Sequence, residues 1–294
     1  MLINEVSKLT KLTKKAIEYY TLQGLISPSV LENGYRVYSM QDIEALQKIS
    51  VLRKLDISTE EIRNIFNDTT NSTLQAISVK KELYYQQDMI KKSILQNLIE
   101  GKSYGGINAE LLSVEQAKNI IDKLLEAFPG YYGRFICIHF ARFLKEPIQS
   151  ETQQSAYETI LSFLDNVPAM DMPKDLEDYL NEVTNHIGTE QISEMIESIK
   201  KSYENPDDFL ETNKEILQQY LEFKESEEYL NSHAFKLMEL IKKFNSTSGY
   251  YDVFIPAMKQ LSKSYTEYFR TMEIANEKLL LHYPEIEKLN NRAK

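Results

Sequence analysis

Tyr35, Arg36 and Tyr38 follow an Asn33-Gly34 turn, and they are the first group in this sequence whose types and spacing suit a chemical task. A guanidinium offers a fork of N–H donors that matches phosphate oxygens, and phenols beside it add uncharged donors and can cover a sugar. Alternation along an extended segment places Arg36 and Tyr38 on one face, with Tyr35 and Val37 on the other. Lys14 and Lys15 form a second group. They open a helical stretch, where an ammonium meets the unfavourable positive end of the helix dipole, an arrangement that makes sense if an external polyanion approaches there. Plainer readings compete: the lysines as solvated surface charge, and Tyr20 and Tyr35 as the core of a small domain.

Other chemistries are poorly served. Cys137 is the only cysteine, and His139, His186, His233 and His282 are scattered, with no pair at ligand spacing on a helix. Cys137 and His139 stand two apart, so on a helix they point in different directions and form no activated thiol pair; a small buried apolar role is expected for Cys137. The sequence holds neither a glycine-rich phosphate loop nor a convergent nucleophile, base and orienting group. The expectation is a protein with no catalytic residues, metal site or cofactor. A third group, Tyr131, Tyr132, Arg134 and Phe135, sits at a Pro129-Gly130 break, where aromatics at helix ends can wall a pocket for a small lipophilic or aromatic effector. Arg134 can meet a ligand carboxylate there or cap a helix, and the aromatics can equally be interhelical packing.

The elements that must position the phosphate-facing residues are short. Residues 4–9 give little more than one helical turn, Thr13 is an N-cap candidate, and residues 14–23 carry Ile17, Tyr20 and Leu22 as apolar anchors. This is a helix-turn-helix spacing. Gly24 ends the second helix and Pro28 prevents its resumption, while Asn33-Gly34 reverses the chain into an extended segment, giving a two-stranded wing. Ser39 stands three residues before Asp42, and Ser58 three before Glu61, so capping signals open two further helices that run to about residues 55 and 66.

With these pieces in order, the head resembles the DNA-binding domain of the MerR family of transcriptional regulators. The resemblance rests on EVSKLT, on EYYTLQGLI followed by Pro28, on NGYRVYS, and on DIEALQKISVLRKLDISTEEIRNI, covering roughly residues 3–68 in the family's order and spacing. It implies a winged helix-turn-helix whose second helix enters the major groove of double-stranded promoter DNA while wings contact the flanking backbone. It also implies a homodimer built on an antiparallel helical pair and, in most members, activation of promoters with an overlong spacer, with RNA polymerase as an indirect partner. Position by position, it implies Tyr19 beside the DNA face of the recognition helix, Arg36 and Tyr38 in the wing, and Arg53 as a basic position holding phosphate near a second wing. Three positions depart from the pattern. Lys11 and Asp56 stand where the family usually has glycine, and Glu18 replaces an arginine, bringing a carboxylate that repels phosphate unless it accepts from a cytosine amine or pairs with a cation.

Beyond the head, residues 74–99 read as one long helix whose broken apolar seam, Ala76, Leu83, Ile90, Ile94 and Leu98, is interrupted by Gln87. Self-association through Leu83, Ile90, Ile94 and Leu98 would hide that seam, and packing on the chain's own C-terminal domain is the competing reading. The expected fold class is all-α: a winged helix-turn-helix head with a small β wing (1–72), a coiled-coil dimerisation helix (73–100), a linker (101–107) and an all-helical regulatory or effector-binding domain (108–294). Helices are expected at residues 113–127, 134–144, 151–166, 175–186 and 190–203, then over 207–244 as one bent helix or a pair, and over 249–281 with Pro256 near its start or kinking it.

Charge separates the two parts. Residues 1–75 hold nine Lys/Arg and nine Asp/Glu, so the whole net charge of −10 lies beyond them. That acidity discourages a second nucleic-acid surface and mildly favours a cationic effector. No run of eighteen apolar residues and no charged segment leading into an apolar one marks a membrane span or export, so a cytoplasmic location without membrane contact is expected. The functional expectation is a sequence-specific DNA-binding regulator, an effector-responsive activator that distorts the promoter spacer. A simple repressor, or a helical interaction module that has lost DNA binding, are the alternatives.

Overall fold

A computed structural model describes residues 1–287; residues 288–294, the end of the expected C-terminal domain, lie outside the described residues. The chain divides into two compact units, Met1–Leu74 and a second beginning at Gln75.

The first unit runs α1 (Ile3–Thr10), α2 (Lys14–Leu22), β1 (Ser29–Val30), β2 (Arg36–Val37), α3 (Met40–Lys54) and α4 (Thr59–Asn67). Local chemistry sets the boundaries. Thr13 Oγ1 accepts from the Ala16 N–H at 3.1 Å and opens α2, while Ser39 with Asp42 and Ser58 with Glu61 form reciprocal capping boxes at the starts of α3 and α4. β1 and β2 pair antiparallel, Ser29 opposite Val37 and Val30 opposite Arg36, around a turn in which Gly34 takes φ 80°. Asp42 ties the wing's approach to α3: its carboxylate accepts from the Ser39 N–H at 2.8 Å and the Ser27 N–H at 3.2 Å. Val6, Ile17, Tyr20, Tyr38, Ile43, Leu46, Ile49 and Ile62 are buried and make the core, each side chain contributing roughly 1.5–3 kcal/mol on burial.

α5 (Ser72–Ile99) starts in the first unit and continues in the second. Then come α6 (Tyr104–Ala127), α7 (Gly130–Ala141), α8 (Glu151–Asn166), α9 (Lys174–Thr184) and α10 (Thr189–Glu204). After these lie α11 (Pro206–Thr212), α12 (Lys214–Glu225), α13 (Glu227–Leu230), α14 (His233–Thr247), a π-helical turn at Tyr250–Phe254, α15 (Ile255–Leu261) and α16 (Lys263–His282). Among the described residues the molecule is all-α apart from its two-stranded wing, as the sequence indicates. The core of the second unit joins α6, α7, α8 and α15 through Ile120, Leu124, Cys137, Phe140, Ile160, Phe254 and Met258. Gly133 is indispensable to it, because a Cβ there would overlap the Phe128 carbonyl.

Three departures from the sequence reading have local causes. Most of the linker expected at 101–107 is helical: α6 begins at Tyr104, and Gly105 and Gly106 sit in its first turn, where there is little helix interior for glycine to weaken. The stretch 207–244 divides into four helices, since Ser226 and Ser232 turn their hydroxyls onto the Tyr229 and Phe235 N–H groups and start new ones. The helix expected over 249–281 divides into a π-helical turn, α15 and α16, the last opened by the Ser262 hydroxyl on the Tyr265 N–H, while Pro256 sits in the first turn of α15, where its missing N–H is not needed.

Candidate nucleic-acid interface

The turn between α1 and α2 fixes where α2 begins. Lys11 sits there at φ 58°, left-handed although it carries a Cβ, and Asp56 does the same at φ 55° between α3 and α4. These are the two positions where the family pattern usually has glycine, and the backbone keeps the glycine geometry at a cost of about 1–2 kcal/mol at Lys11 and less at Asp56.

Lys14 and Lys15 are the first two residues of α2, and both are exposed, as are Glu18 and Tyr19. The Tyr19 ring packs edge-on to Tyr20 at 5.6 Å, and its hydroxyl lies 3.5 Å from Thr59 Oγ1, so α4 steadies a side chain that otherwise faces solvent. In the wing, Arg36 is exposed on β2 and Tyr35 is 64% exposed. Tyr38 is different. Its side chain is 1% exposed, with a hydroxyl that has no hydrogen-bond partner among the described residues. The alternation expected across 35–38 fails because β2 ends at Val37; Tyr38 pairs its backbone with Met1, N–H to Met1 O at 2.9 Å and Met1 N to Tyr38 O at 2.7 Å, and turns its ring into the core. The phenol beside Arg36 at the surface is therefore Tyr35.

Arg53 is exposed on α3, and its Nη1 donates to the Ile57 carbonyl at 2.7 Å, so part of its fork braces the α3–α4 turn. Arg63 Nη2 donates to the Gln23 carbonyl at 2.8 Å and ties α4 to the end of α2. The bond spans forty residues, so its spacing in the sequence carries no signal of that role.

The seam on α5 turns inward. Val79 and Leu83 belong to the second unit's core, Gln87 and Ile94 are buried, and Leu98 is half-buried, so this face packs within the chain rather than waiting for a partner. Polar clamps hold it: Tyr84 hydrogen-bonds both Asp122 oxygens at 2.5 and 2.6 Å, and Lys80 pairs with the same carboxylate at 3.0 Å. Of the four residues expected at a dimer contact, Ile90 alone is exposed, at 38%. The opposite face of α5 carries Tyr85, Met89, Leu95 and Ile99, all exposed and within about a third of the helix circumference at 100° per residue.

Tyr131, Tyr132, Arg134 and Phe135 are packing residues of the second unit. The Tyr132 hydroxyl donates to Asn245 Oδ1 at 2.9 Å, and burial pushes its pKa up to about 12. Arg134 is 2% exposed and donates to the Ile187 carbonyl at 2.9 Å just beyond α9, the structural one of its two possible roles. Tyr131 and Phe135 pack against the same core. Cys137 is fully buried, and His139, enclosed by Phe140, Phe143 and Tyr268, has its pKa lowered to about 4 by burial, with Arg142 adding to the effect. No helix among the described residues is long and apolar enough to cross a membrane.

The sequence profile of the MerR HTH family regulatory proteins matches residues 1–69. Over 72 residues the chain is 40% identical to the HTH-type transcriptional regulator CueR of Escherichia coli O6:H1, covering 23% of this chain and 53% of that protein. Over 99 residues it is 34% identical to CueR of Vibrio cholerae serotype O1, covering 32% of this chain and 70% of that one. The multidrug-efflux transporter 2 regulator of Bacillus subtilis is 29% identical over 99 residues, covering 33% of this chain and 36% of the relative. The chain thus spans about half the length of the first of these relatives. No solved structure matches it. The helix-turn-helix, wing and capping boxes fall inside the matched segment, and with 70% of one relative covered at 34% identity, this chain belongs to the MerR family of helix-turn-helix regulatory proteins.

Proposed function

We propose that the chain is a homodimeric, sequence-specific regulator of transcription that binds double-stranded promoter DNA and responds to a small effector through its second unit. One observation carries the DNA reading: Lys14 and Lys15 stand exposed at the N-terminus of α2, where the dipole penalises them, in a head whose wing also exposes Arg36. A phosphate backbone removes that penalty. In this reading α2 lies in the major groove, Lys14, Lys15, Arg36 and Arg53 meet phosphates, and Tyr19 stands at the groove edge; Tyr38 supports the wing from inside. Two heads on a two-fold dimer read two half-sites, and the exposed face of α5 bearing Tyr85, Met89, Leu95 and Ile99 supplies the contact between copies.

An effector-dependent change in the placement of the two heads would bend and underwind the spacer, bringing promoter elements into phase for RNA polymerase, with specificity partly from the cost of deforming central base pairs. That one relative is named as regulator of a multidrug-efflux transporter supports an effector of small-molecule type. A second reading, an interaction module that no longer binds DNA, draws on the exposed Glu18 carboxylate in α2.

The test is selection of bound duplexes from a randomised pool, followed by permanganate footprinting of the selected site with RNA polymerase present. A palindromic site with reactive spacer bases supports the activator. Protection without reactivity leaves a simple repressor, and a pool that never enriches refutes DNA recognition.

A further inference from the structure

Two cavities of the second unit differ in kind. In the cleft between α7, α10 and α16, Arg142 is already paired with Glu197 at 2.7 Å, so its charge is satisfied within the protein. The other cavity, about 320 Å³, opens among α12, α13, α14 and the end of α16. Its wall is aromatic and aliphatic, formed chiefly by Tyr220, Tyr229, Phe235, Met238 and Leu279. Among the described residues a single cation stands in it. Lys224 Nζ lies 4.0 Å from the Tyr229 ring centroid and 5.2 Å from that of Tyr220, bonds the Tyr229 hydroxyl, and lies 3.8 Å from Met238 Sδ. None of the ion pairs among the described residues includes it. Tyr220 and Met238 line the cavity yet remain 52% and 40% exposed, so apolar surface is left open at its mouth. Beyond Asn276 and Leu279, which line both, lies an adjoining, largely apolar cavity of about 300 Å³ walled by Phe209, Leu210 and Met272.

We infer that this cavity binds a lipophilic monocarboxylate, with the carboxylate on Lys224 and the hydrocarbon lying against Tyr220, Tyr229, Phe235 and Met238 and running toward Leu279. The inference rests on the effector-responsive reading above and gives that effector a chemical class. Three ligand types can be compared on the geometry. A cationic amphiphile would seek the π faces of Tyr220 and Tyr229, but the protein's own ammonium occupies them and repels it. A neutral hydrocarbon would cover Lys224 without pairing it, burying an uncompensated charge. A carboxylate forms a charge-assisted hydrogen bond with the ammonium while its tail covers the open apolar wall. Burial works against the charge on Lys224, yet hydrogen bonds with Tyr229 and Tyr220 outweigh it and raise the lysine pKa, so the cation persists at neutral pH. The acidity of the chain as a whole, which by itself favours a cationic effector, is weaker at this distance scale than one cation inside the cavity.

Calorimetry of the full-length chain with decanoate, decyltrimethylammonium and 1-decanol separates the three, since only the head group differs. Decanoate should bind at least about tenfold more tightly than either of the others, the ratio expected of one charge-assisted hydrogen bond. Lys224→Met should bring decanoate down to the level of 1-decanol, Lys224→Arg should retain most of the preference, and Leu279→Trp should weaken decanoate by filling the wall; circular dichroism checks that each variant is folded. Equal or tighter binding of the ammonium probe, an unchanged decanoate affinity in Lys224→Met, or no decanoate binding would overturn the inference. So would sedimentation showing that Tyr220→Asp dissociates an oligomer, which would make the open wall a contact between copies. Anisotropy with a selected duplex on the same samples keeps the two readings apart: DNA binding without decanoate binding removes the site alone, and the converse removes the regulator reading alone.

Discussion

Replacing Lys11 by glycine should stabilise the DNA-binding head. Lys11 adopts φ 58° and ψ 21°, the left-handed region, in the turn that joins α1 to α2, and its side chain is exposed. A residue with a Cβ loses about 1–2 kcal/mol in that conformation, because Cβ crowds the following carbonyl oxygen. Glycine removes the crowding but enlarges the unfolded ensemble, which costs about 0.4–1 kcal/mol. The difference leaves a net gain of roughly 0.5–1 kcal/mol. Asp56 at φ 55° offers the same substitution with a smaller return, since aspartate tolerates the left-handed region better than lysine does.

Hydrogen exchange on the full-length chain reads this locally, because peptides from residues 1–74 report opening of the first unit. Protection of slowly exchanging amides in α1 and α2 should rise roughly twofold to fivefold in Lys11→Gly, the factor that corresponds to that net gain. Lys11→Ala is the control: it keeps the Cβ and so the strain, and protection should stay near the starting value. A loss of protection in Lys11→Gly would refute the strain argument. An equal gain in Lys11→Ala would do so too, by showing that the lysine charge rather than the backbone was at fault.

Arg36→Ala should weaken binding to a selected duplex by about 1–3 kcal/mol and reduce the salt slope by about one ion per head, and an unchanged slope in anisotropy titrations would remove Arg36 from the interface. Glu18→Gln should raise affinity for duplex DNA several-fold at low salt, with the gain shrinking as salt increases; a drop in affinity would mean that the carboxylate reads a base. Met89→Asp with Leu95→Asp should give folded monomers by sedimentation, whereas Leu83→Asp should open the second unit, because Leu83 is 6% exposed within its core; the reverse pattern would return the dimer contact to the seam. Asp68 accepts from the Thr73 and Thr70 N–H groups at 2.6 and 2.7 Å; partial burial works against its charge, but these bonds outweigh it and hold the carboxyl well below its ordinary value of 3.8. A depressed folded-state pKa contributes stability that is whole above the ordinary value and lost as pH falls through the folded one; discounted for solvent screening of a largely exposed carboxylate, Asp68→Asn should cost up to about 1 kcal/mol near neutrality and progressively less in acid, as read by denaturant unfolding.

The head was legible because its signals are local. Ser39 and Asp42, Ser58 and Glu61, and Thr13 each satisfy backbone donors within three residues of themselves, so their effect can be read without knowing the fold. Tyr38 was misplaced for the opposite reason. Its orientation depends on a pairing with Met1 thirty-seven residues away, and a two-residue strand is too short for alternation to govern the next side chain. The same distinction explains α5. Periodicity identified an apolar stripe through Leu83 and Ile94, but periodicity cannot say whether the surface that covers it belongs to the same chain, and here Val79 and Leu83 pack into the second unit's own core. Aromatic content had suggested a pocket beside Pro129-Gly130, where Tyr132 and Arg134 instead satisfy Asn245 and Ile187.

Lys224 stands out little in the sequence, one of several lysines in an acidic C-terminal unit. Tyr220 precedes it by four residues on α12 and faces it as an i,i+4 pair, but its ammonium comes over Tyr229 only when α13 folds back on α12. Net charge describes the long-range field of a domain, and screening confines that field to about 8–10 Å at ordinary ionic strength. Selection of a ligand is decided inside that length, by whichever ionised group lies in the wall of the cavity. In the proposed site the acidic domain would select by the lysine in its aromatic wall, local placement rather than composition setting the sign of the charge its ligand must carry.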